Sequence, residues 1–552
     1  MNIMRRITIF KSKNIDKLVF IPTVILFFAV SIFLMIGGSS LQGVLQTVLN
    51  WVTGNMGWGY MWIYIINFIF FGYLIFSKYG NIRLGAADEK PAYSNFQWGS
   101  MVFATAIDAS ILMLSMVDPL RYVQSPEGNV KPFSEAAYNL AHMYGQYDWG
   151  PMAWLMFGAP TIAIGYMMYN KKRKIQSLSD AITILDGDSL WKNITKKIVN
   201  ILVVFGIMGG VGASVGLEIP IISNVLSSLT GLPDNLAMKI GLFFVLFVIF
   251  SAAVFKGLNG GIDKLSNAHI WTAIIFLAIV LLLGPTVYIL KSETNSVGVL
   301  IQKFIPMSLN TVPNGNPSIE QQETIFYWGW WLSYMPFMGL FIAKLSRGRT
   351  IRQVLVGMLT YGALGCMSFY AVLGGYSLWL QKTGTVDLVH ILNTQGQAAV
   401  ISAVVGSLPM KYLMFAIYFL SCFVFLATTI SSSAFVLSSF TSLPLKPGKE
   451  PSRVNRMTWV VVFIIFSFSL VLVGGFETVQ TFCTLAGFPL MFVCILIIMS
   501  VFKMITQDKS IISTKSYINR RRRKKKATAE RRSAIKGKLI LWPKNTINKK
   551  PK

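Results

Sequence analysis

Runs of about 20 apolar residues recur along the chain, each closed by a short polar stretch, and each is long enough to cross a hydrocarbon core of roughly 30 Å. Twelve such spans are predicted, at about 18–37, 56–77, 97–117, 151–169, 198–226, 238–256, 266–290, 325–345, 352–380, 410–440, 457–475 and 479–503. The connecting loops alternate in charge. One set carries Arg5, Arg6 and Lys11, then Lys78 and Arg83, then Lys171 to Lys174, Lys256 and Lys264, Lys344 to Arg352, and Lys446 to Arg456. The intervening set is nearly free of Lys and Arg, and 38–55 has none. The positive-inside rule then predicts both termini in the cytoplasm and an even number of spans. Residues 133–146 and 296–308 are short and mixed in polarity, and are expected to lie in the interface plane.

Composition narrows the class. Apolar residues make up 54% and charged residues 13%, against roughly a quarter charged in a soluble domain. This excludes a soluble enzyme, a disordered chain and a secreted disulfide scaffold, leaving an all-α polytopic membrane protein of the cell membrane. Cys366, Cys422, Cys483 and Cys494 sit inside apolar runs without paired spacing, so no metal cluster or disulfide framework is expected. The first apolar run has no small-x-small cleavage site and reads as a retained helix. The net charge is +28, and from Ser510 onward sixteen Lys and Arg face one acid, Glu530. That tail reads as a solvated arm or as a patch on anionic lipid, at about 1 kcal/mol per basic residue. Nucleic acid is not an expected partner.

Phe326-Tyr327-Trp328-Gly329-Trp330-Trp331-Leu332-Ser333-Tyr334 places Tyr327, Trp330, Trp331 and Tyr334 on one helical face. Facing rings, with Trp149 and Trp154 as candidates from the fourth span, would hold a quaternary ammonium by cation–π contact. The competing reading is an aromatic belt at a membrane surface. At 1.5 Å per residue from the basic end at Lys344, Trp331 falls some 20 Å deep, which favours the pocket. Asp108, in the middle of the third span, is a functional candidate, for pairing with a cation or carrying a proton, or else a carboxylate satisfied by neighbouring Ser. Glu218 lies beside Pro220, where a structural role is equally expected. His269 could titrate in a proton-coupled step or pack as a satisfied side chain. His142 and His390 fall in loops and are expected to be solvated. Thr428-Thr429-Ile430-Ser431-Ser432-Ser433 could coordinate Na⁺ or bond back to its own helix. No phosphate-cradling glycine loop, HExxH or CxxC occurs, so neither an enzyme nor an ATP-driven pump is expected.

The aromatic run, continued by Met335-Pro336-Phe337 and by Ala343-Lys344-Leu345-Ser346-Arg347-Gly348-Arg349-Thr350-Ile351-Arg352, resembles the signature of the betaine/choline/carnitine transporter family. Ser77-Lys78-Tyr79-Gly80-Asn81-Ile82-Arg83-Leu84-Gly85, Asp118-Pro119-Leu120, Trp149-Gly150-Pro151 and Leu265-Ser266-Asn267-Ala268 support it over roughly 18–505. The resemblance implies a LeuT-like fold: two peripheral helices in 18–96, inverted five-helix repeats at 97–290 and 325–503 joined by 291–324, an N-terminal segment 1–17 and a basic cytoplasmic tail 504–552. It implies an aromatic box of Trp330, Trp331, Tyr334 and Trp149, an exit path past Phe326 and Trp328, and a Na⁺ hydroxyl pair at Thr428 and Thr429. A homotrimer and osmotic control through the tail are also implied. Departures matter: Ala106, Asp108 and Ser110 replace a Gly-x-Gly-x-Gly run, Phe157 replaces a Tyr, and His269 stands where sodium-coupled members have Asn. The expected function is uptake of a trimethylammonium compound, choline favoured because Asp108 adds negative charge, with no cofactor and with H⁺ or Na⁺ as coupling ion. Alternatives are Na⁺-coupled glycine betaine uptake under osmotic regulation, an osmosensor with decayed transport, or a carrier of other amines.

Overall fold

The computed structural model describes residues 14–106, 109–175, 177–256, 263–313, 319–443, 450–473 and 476–508, and among these it is helical with no strand. The basic tail beyond Asp508 lies outside them. The first two predicted spans form one helix, α1 (Lys17–Phe76), whose two apolar stretches are Lys17–Gly37 and Gln42–Phe76. Straight, 60 residues would reach about 90 Å, three times a hydrocarbon core. Instead both ends come to one face. The Asp16 N–H donates to the Thr441 carbonyl at 2.9 Å, while the Ile75 and Ser77 carbonyls accept from Arg352 at 2.6 and 2.9 Å. The two spans therefore run antiparallel.

The third span is broken into α2 (Asn95–Ala106) and α3 (Ser110–Gln124), followed by α4 (Glu135–Asp148). The fourth is α5 (Pro151–Met156) and α6 (Gly158–Gly165), ending in a π turn at Tyr166–Asn170. The fifth joins α7 (Leu190–Ile207) to α8 (Ala213–Thr230) through a π turn at Met208–Gly212, and α9 (Leu236–Lys256) is the sixth. The seventh corrects the expected boundaries. Helix α10 (Asp263–Leu283) stops at Gly284-Pro285, and α11 (Thr286–Ser308) leaves at 109°. Proline has no amide hydrogen to continue the helix, so the span ends seven residues early and the segment expected at 296–308 begins at Thr286.

The eighth span is α12 (Ile319–Leu345), and every residue from Phe326 to Leu340 is buried. Next come α13 (Ile351–Gly357), α14 (Leu364–Phe369) and α15 (Gly375–Thr383), interrupted by π turns at Met358–Ala363 and Tyr370–Gly374. Short α16 (Leu388–Gln395) and α17 (Gln397–Gly406) lead to α18 (Lys411–Phe440), α19 (Arg453–Val473) and α20 (Phe476–Thr506). Among the described residues nine segments are long and apolar enough to cross a membrane, and the bent α10–α11 pair makes a tenth. The other two predicted spans, the broken third and α12, are the least hydrocarbon-like. Helix α12 is rich in Trp and Tyr and is wrapped by protein, so lipid does not select its composition.

Close backbone approach fixes α12 in place. A Cβ on Gly487 of α20 would lie 2.1 Å from the Gly329 carbonyl, and one on Gly339 would lie 2.3 Å from Pro160 of α6. Small residues at such crossings are the usual means of tight packing in membranes. Beyond its last turn, a basic clamp ties the loops together. Arg352 also holds Asn81, Arg349 bonds Asn95 and the Tyr93 and Ser94 carbonyls, and Arg347 pairs with Glu89 at 2.5 Å. Gly348 adopts φ +79° against the Lys90 carbonyl, a position open only to glycine.

Candidate functional site

The site begins with a helix break. Trp149 caps the end of α4 with its N–H on the Gly145 carbonyl, and Gly150-Pro151 starts α5, with proline where a missing N–H costs nothing. This leaves the Trp149 indole facing α12. Its ring meets Trp331 edge to face at 4.6 Å and Trp330 at 6.2 Å. On α12, Trp330 and Trp331 lie 5.7 Å apart and 4° from parallel, with Tyr327 stacked 6.1 Å from each. One turn on, Tyr334 closes the group edge-on at 6.3 and 6.4 Å, and its hydroxyl lies 3.2 Å from Ser214. Phe157, at the break between α5 and α6, stands edge-on to Trp331 at 6.2 Å. Trp149, Trp330 and Trp331 are all nearly inaccessible. These rings come from two crossing segments in the interior, not from a belt facing lipid. They close on one another, and the crevice among Trp149, Trp154, Phe157 and Trp331 is too small for a water.

Behind the rings lies a buried polar layer whose acids the apolar pattern assigns to loops. Asp118 Oδ2 accepts the Tyr327 hydroxyl at 2.5 Å and the Tyr370 hydroxyl at 2.8 Å. Asp148 accepts Thr324 at 3.0 Å and Tyr122 at 3.3 Å, and its backbone carbonyl receives the Trp331 indole N–H at 2.9 Å. Glu323 pairs with Arg121 at 2.6 Å and receives Gln480 on both oxygens, at 2.8 and 2.7 Å. Each acid adjoins a sequence signal: the Asp118-Pro119-Leu120 motif, Trp149, and the aromatic run. That adjacency was the clue available in the sequence.

The expected residues fare unequally. Trp149, Trp330, Trp331 and Tyr334 come together. Asp108 lies outside the described residues, and so does the side chain of His269. Phe326 packs on Trp330 at 5.1 Å and on Phe476, and Trp328 stacks on Tyr64 of α1 at 4.2 Å. Both precede Trp330 and Trp331 on α12, on the side away from Lys344. Thr428 and Thr429 are buried in α18; Thr428 donates back to the Val424 carbonyl at 2.8 Å, while the Thr429 hydroxyl has no hydrogen-bond partner among the described residues. His142 is not solvated. It is buried between Ser296 of α11, at 2.6 Å, and the Ala371 carbonyl, at 3.2 Å, because α4 packs under α11 rather than on the surface. Glu218 is buried and accepts the Ser110 hydroxyl at 2.7 Å, tying α8 to the start of α3. His390 is exposed, as expected.

Comparison with known proteins bears on this arrangement. The profile of the BCCT, or betaine/carnitine/choline family transporter, group matches residues 18–510. The uncharacterized transporter YeaV of Escherichia coli (strain K12) is 30% identical over 440 residues, covering 79% of this chain and 90% of that protein. A solved Na⁺-coupled sialic acid symporter, in a substrate-bound outward-open state, is 14% identical with a TM-score of 0.42, over 75% of this chain and 80% of that one.

Proposed function

Since the chain belongs to the betaine/carnitine/choline transporter family and is a multi-pass secondary active transporter rather than an enzyme, we propose that it takes up a trimethylammonium compound, choline before betaine, driven by an ion gradient. The observation that carries this reading is the facing of Trp149 onto the parallel Trp330–Trp331 pair. A quaternary nitrogen offers no hydrogen to a donor–acceptor site, and ring faces bind it at about 0.5–2 kcal/mol each. Tyr334 and Phe157 complete the wall. Choline is placed before betaine because Asp108, in the sequence of the third span, adds a carboxylate that a cation would welcome and a zwitterion's carboxylate would not. Transport would proceed by alternating access between the two five-helix repeats, with the basic face toward the cytoplasm.

A proton is the favoured coupling ion, because the sequence carries the titratable residues Asp108 and His269 where sodium-coupled members of the family have glycine and asparagine. The second reading, Na⁺-coupled betaine uptake, draws on the hydroxyls of Thr429 and Ser433, which are unbonded among the described residues and could coordinate a hard cation. Uptake of radiolabelled choline and betaine into proteoliposomes, with Na⁺ and proton gradients imposed one at a time, separates the two. Thr429→Val abolishes uptake only if Na⁺ binds there. For the box itself, Trp331→Ala is expected to weaken choline binding by about 30-fold or more, the scale of one strong ring contact. Unchanged affinity in that variant would end the reading.

A further inference from the structure

Of the three acids behind the rings, two are answered within the layer: Glu323 by the Arg121 guanidinium and Gln480, Asp148 by Thr324 and Tyr122. Asp118 differs. It is fully buried, its Oδ1 has no hydrogen-bond partner among the described residues, and its Oδ2 is held by two phenols from different segments, Tyr327 of α12 and Tyr370 of the π turn after α14. Both phenol rings touch Trp149, at 5.8 and 6.2 Å, and Tyr327 also stacks on Trp330 and Trp331. Tyr370 can lie there because Gly145 has no side chain; a Cβ at that position would come 2.0 Å from its ring. One carboxylate oxygen therefore fixes two rings that together set where Trp149 stands relative to α12.

We propose that Asp118 is a positioning residue for substrate binding, acting through Tyr327 and Tyr370 to hold the box at its working width. The proposal rests on the aromatic box being the substrate site. Its basis is that hydroxyl bonds to an ionised acceptor are short and about twice as strong as neutral ones, so the carboxylate holds the phenols in a way an amide does not.

The test is a mutant cycle in full-length protein reconstituted into liposomes, with choline as probe. Asp118→Asn is expected to raise the half-saturating choline concentration about tenfold, the scale of losing a charge-assisted bond, with the maximal rate held within about twofold. The Tyr327→Phe/Tyr370→Phe double variant should match it, and combining all three changes should add nothing further. A fall in maximal rate at unchanged half-saturation, or effects that multiply in the triple variant, would overturn the proposal. Should Asp118→Asn not fold, the two single Tyr→Phe variants and their double decide the same question by their non-additivity. A readout without ligand is the near-ultraviolet circular dichroism of the tryptophans, expected to weaken in Asp118→Asn; an unchanged spectrum counts against the role. If wild-type protein bound no trimethylammonium compound, the proposed function would fall, and this spectrum would still decide what Asp118 does.

Discussion

The two ends of α12 handle charge in opposite ways. At its first turns Glu323 meets Arg121, Gln480 and, through neighbouring groups, Asp118 and Asp148, in a layer drawn from α3, α4, α12, α20 and the Tyr370 turn. Past its last turn, Arg347, Arg349 and Arg352 reach mostly backbone carbonyls and amide side chains of neighbouring loops, and Arg347 and Arg352 stand partly in solvent. Acids buried among side chains depend on partners from five elements being present together. Guanidinium groups on carbonyls depend only on two loops lying side by side. The first arrangement would be disturbed by a shift of any one of those helices, and the second only by separation of the two loops.

The difference is exposed most severely by Arg121→Ala. Removing the guanidinium leaves Glu323 buried without a cation, and an uncompensated charge of this kind costs about 3–5 kcal/mol. A large fall in the thermal midpoint of detergent-solubilised protein is expected, and a fall no larger than that of a surface variant would mean the acid layer is solvated. At the other end Arg352→Ala should cost about 1–2 kcal/mol, because water can replace its contacts. Arg352→Lys should recover only part of that, since an ammonium cannot span Ile75, Ser77 and Asn81 at once. The smallest effect concerns pH. The Ala86 N–H, and then Arg347, hold the Glu89 carboxyl below its ordinary range. A lowered value stabilises above the unfolded carboxylate range and is lost as pH falls through the folded one. The clamp should therefore be insensitive from pH 5 to 8, with any loosening confined to more acid solution. Hydrogen exchange of 82–93 would show this.

Several features were legible because they are local. Apolar length marked the spans, Gly150-Pro151 marked the break that presents Trp149, and 3.6-residue spacing put Tyr327, Trp330, Trp331 and Tyr334 on one face. Other features were not local. Tyr327 and Tyr370 lie 209 and 252 residues from the Asp118 they share, and no spacing rule connects them. His142 read as a loop residue because burial of α4 depends on α11, whose own start was misplaced by the Gly284-Pro285 corner. Trp328 shares a run with the box residues but stacks on Tyr64 of α1, since a helix sends successive side chains to different neighbours.

From its own order of residues the chain determined that it is a helical membrane protein, roughly where most apolar spans lie, and which rings share a face, because solvent, bilayer thickness and helix pitch act on short stretches. Only the tertiary structure decided that Trp149 meets Trp331 and that Asp118 holds two tyrosines. The second contact depends on Gly145, which leaves room for the Tyr370 ring, while Gly329, Gly339 and Gly487 let α12 approach α20 and α6 to backbone distance.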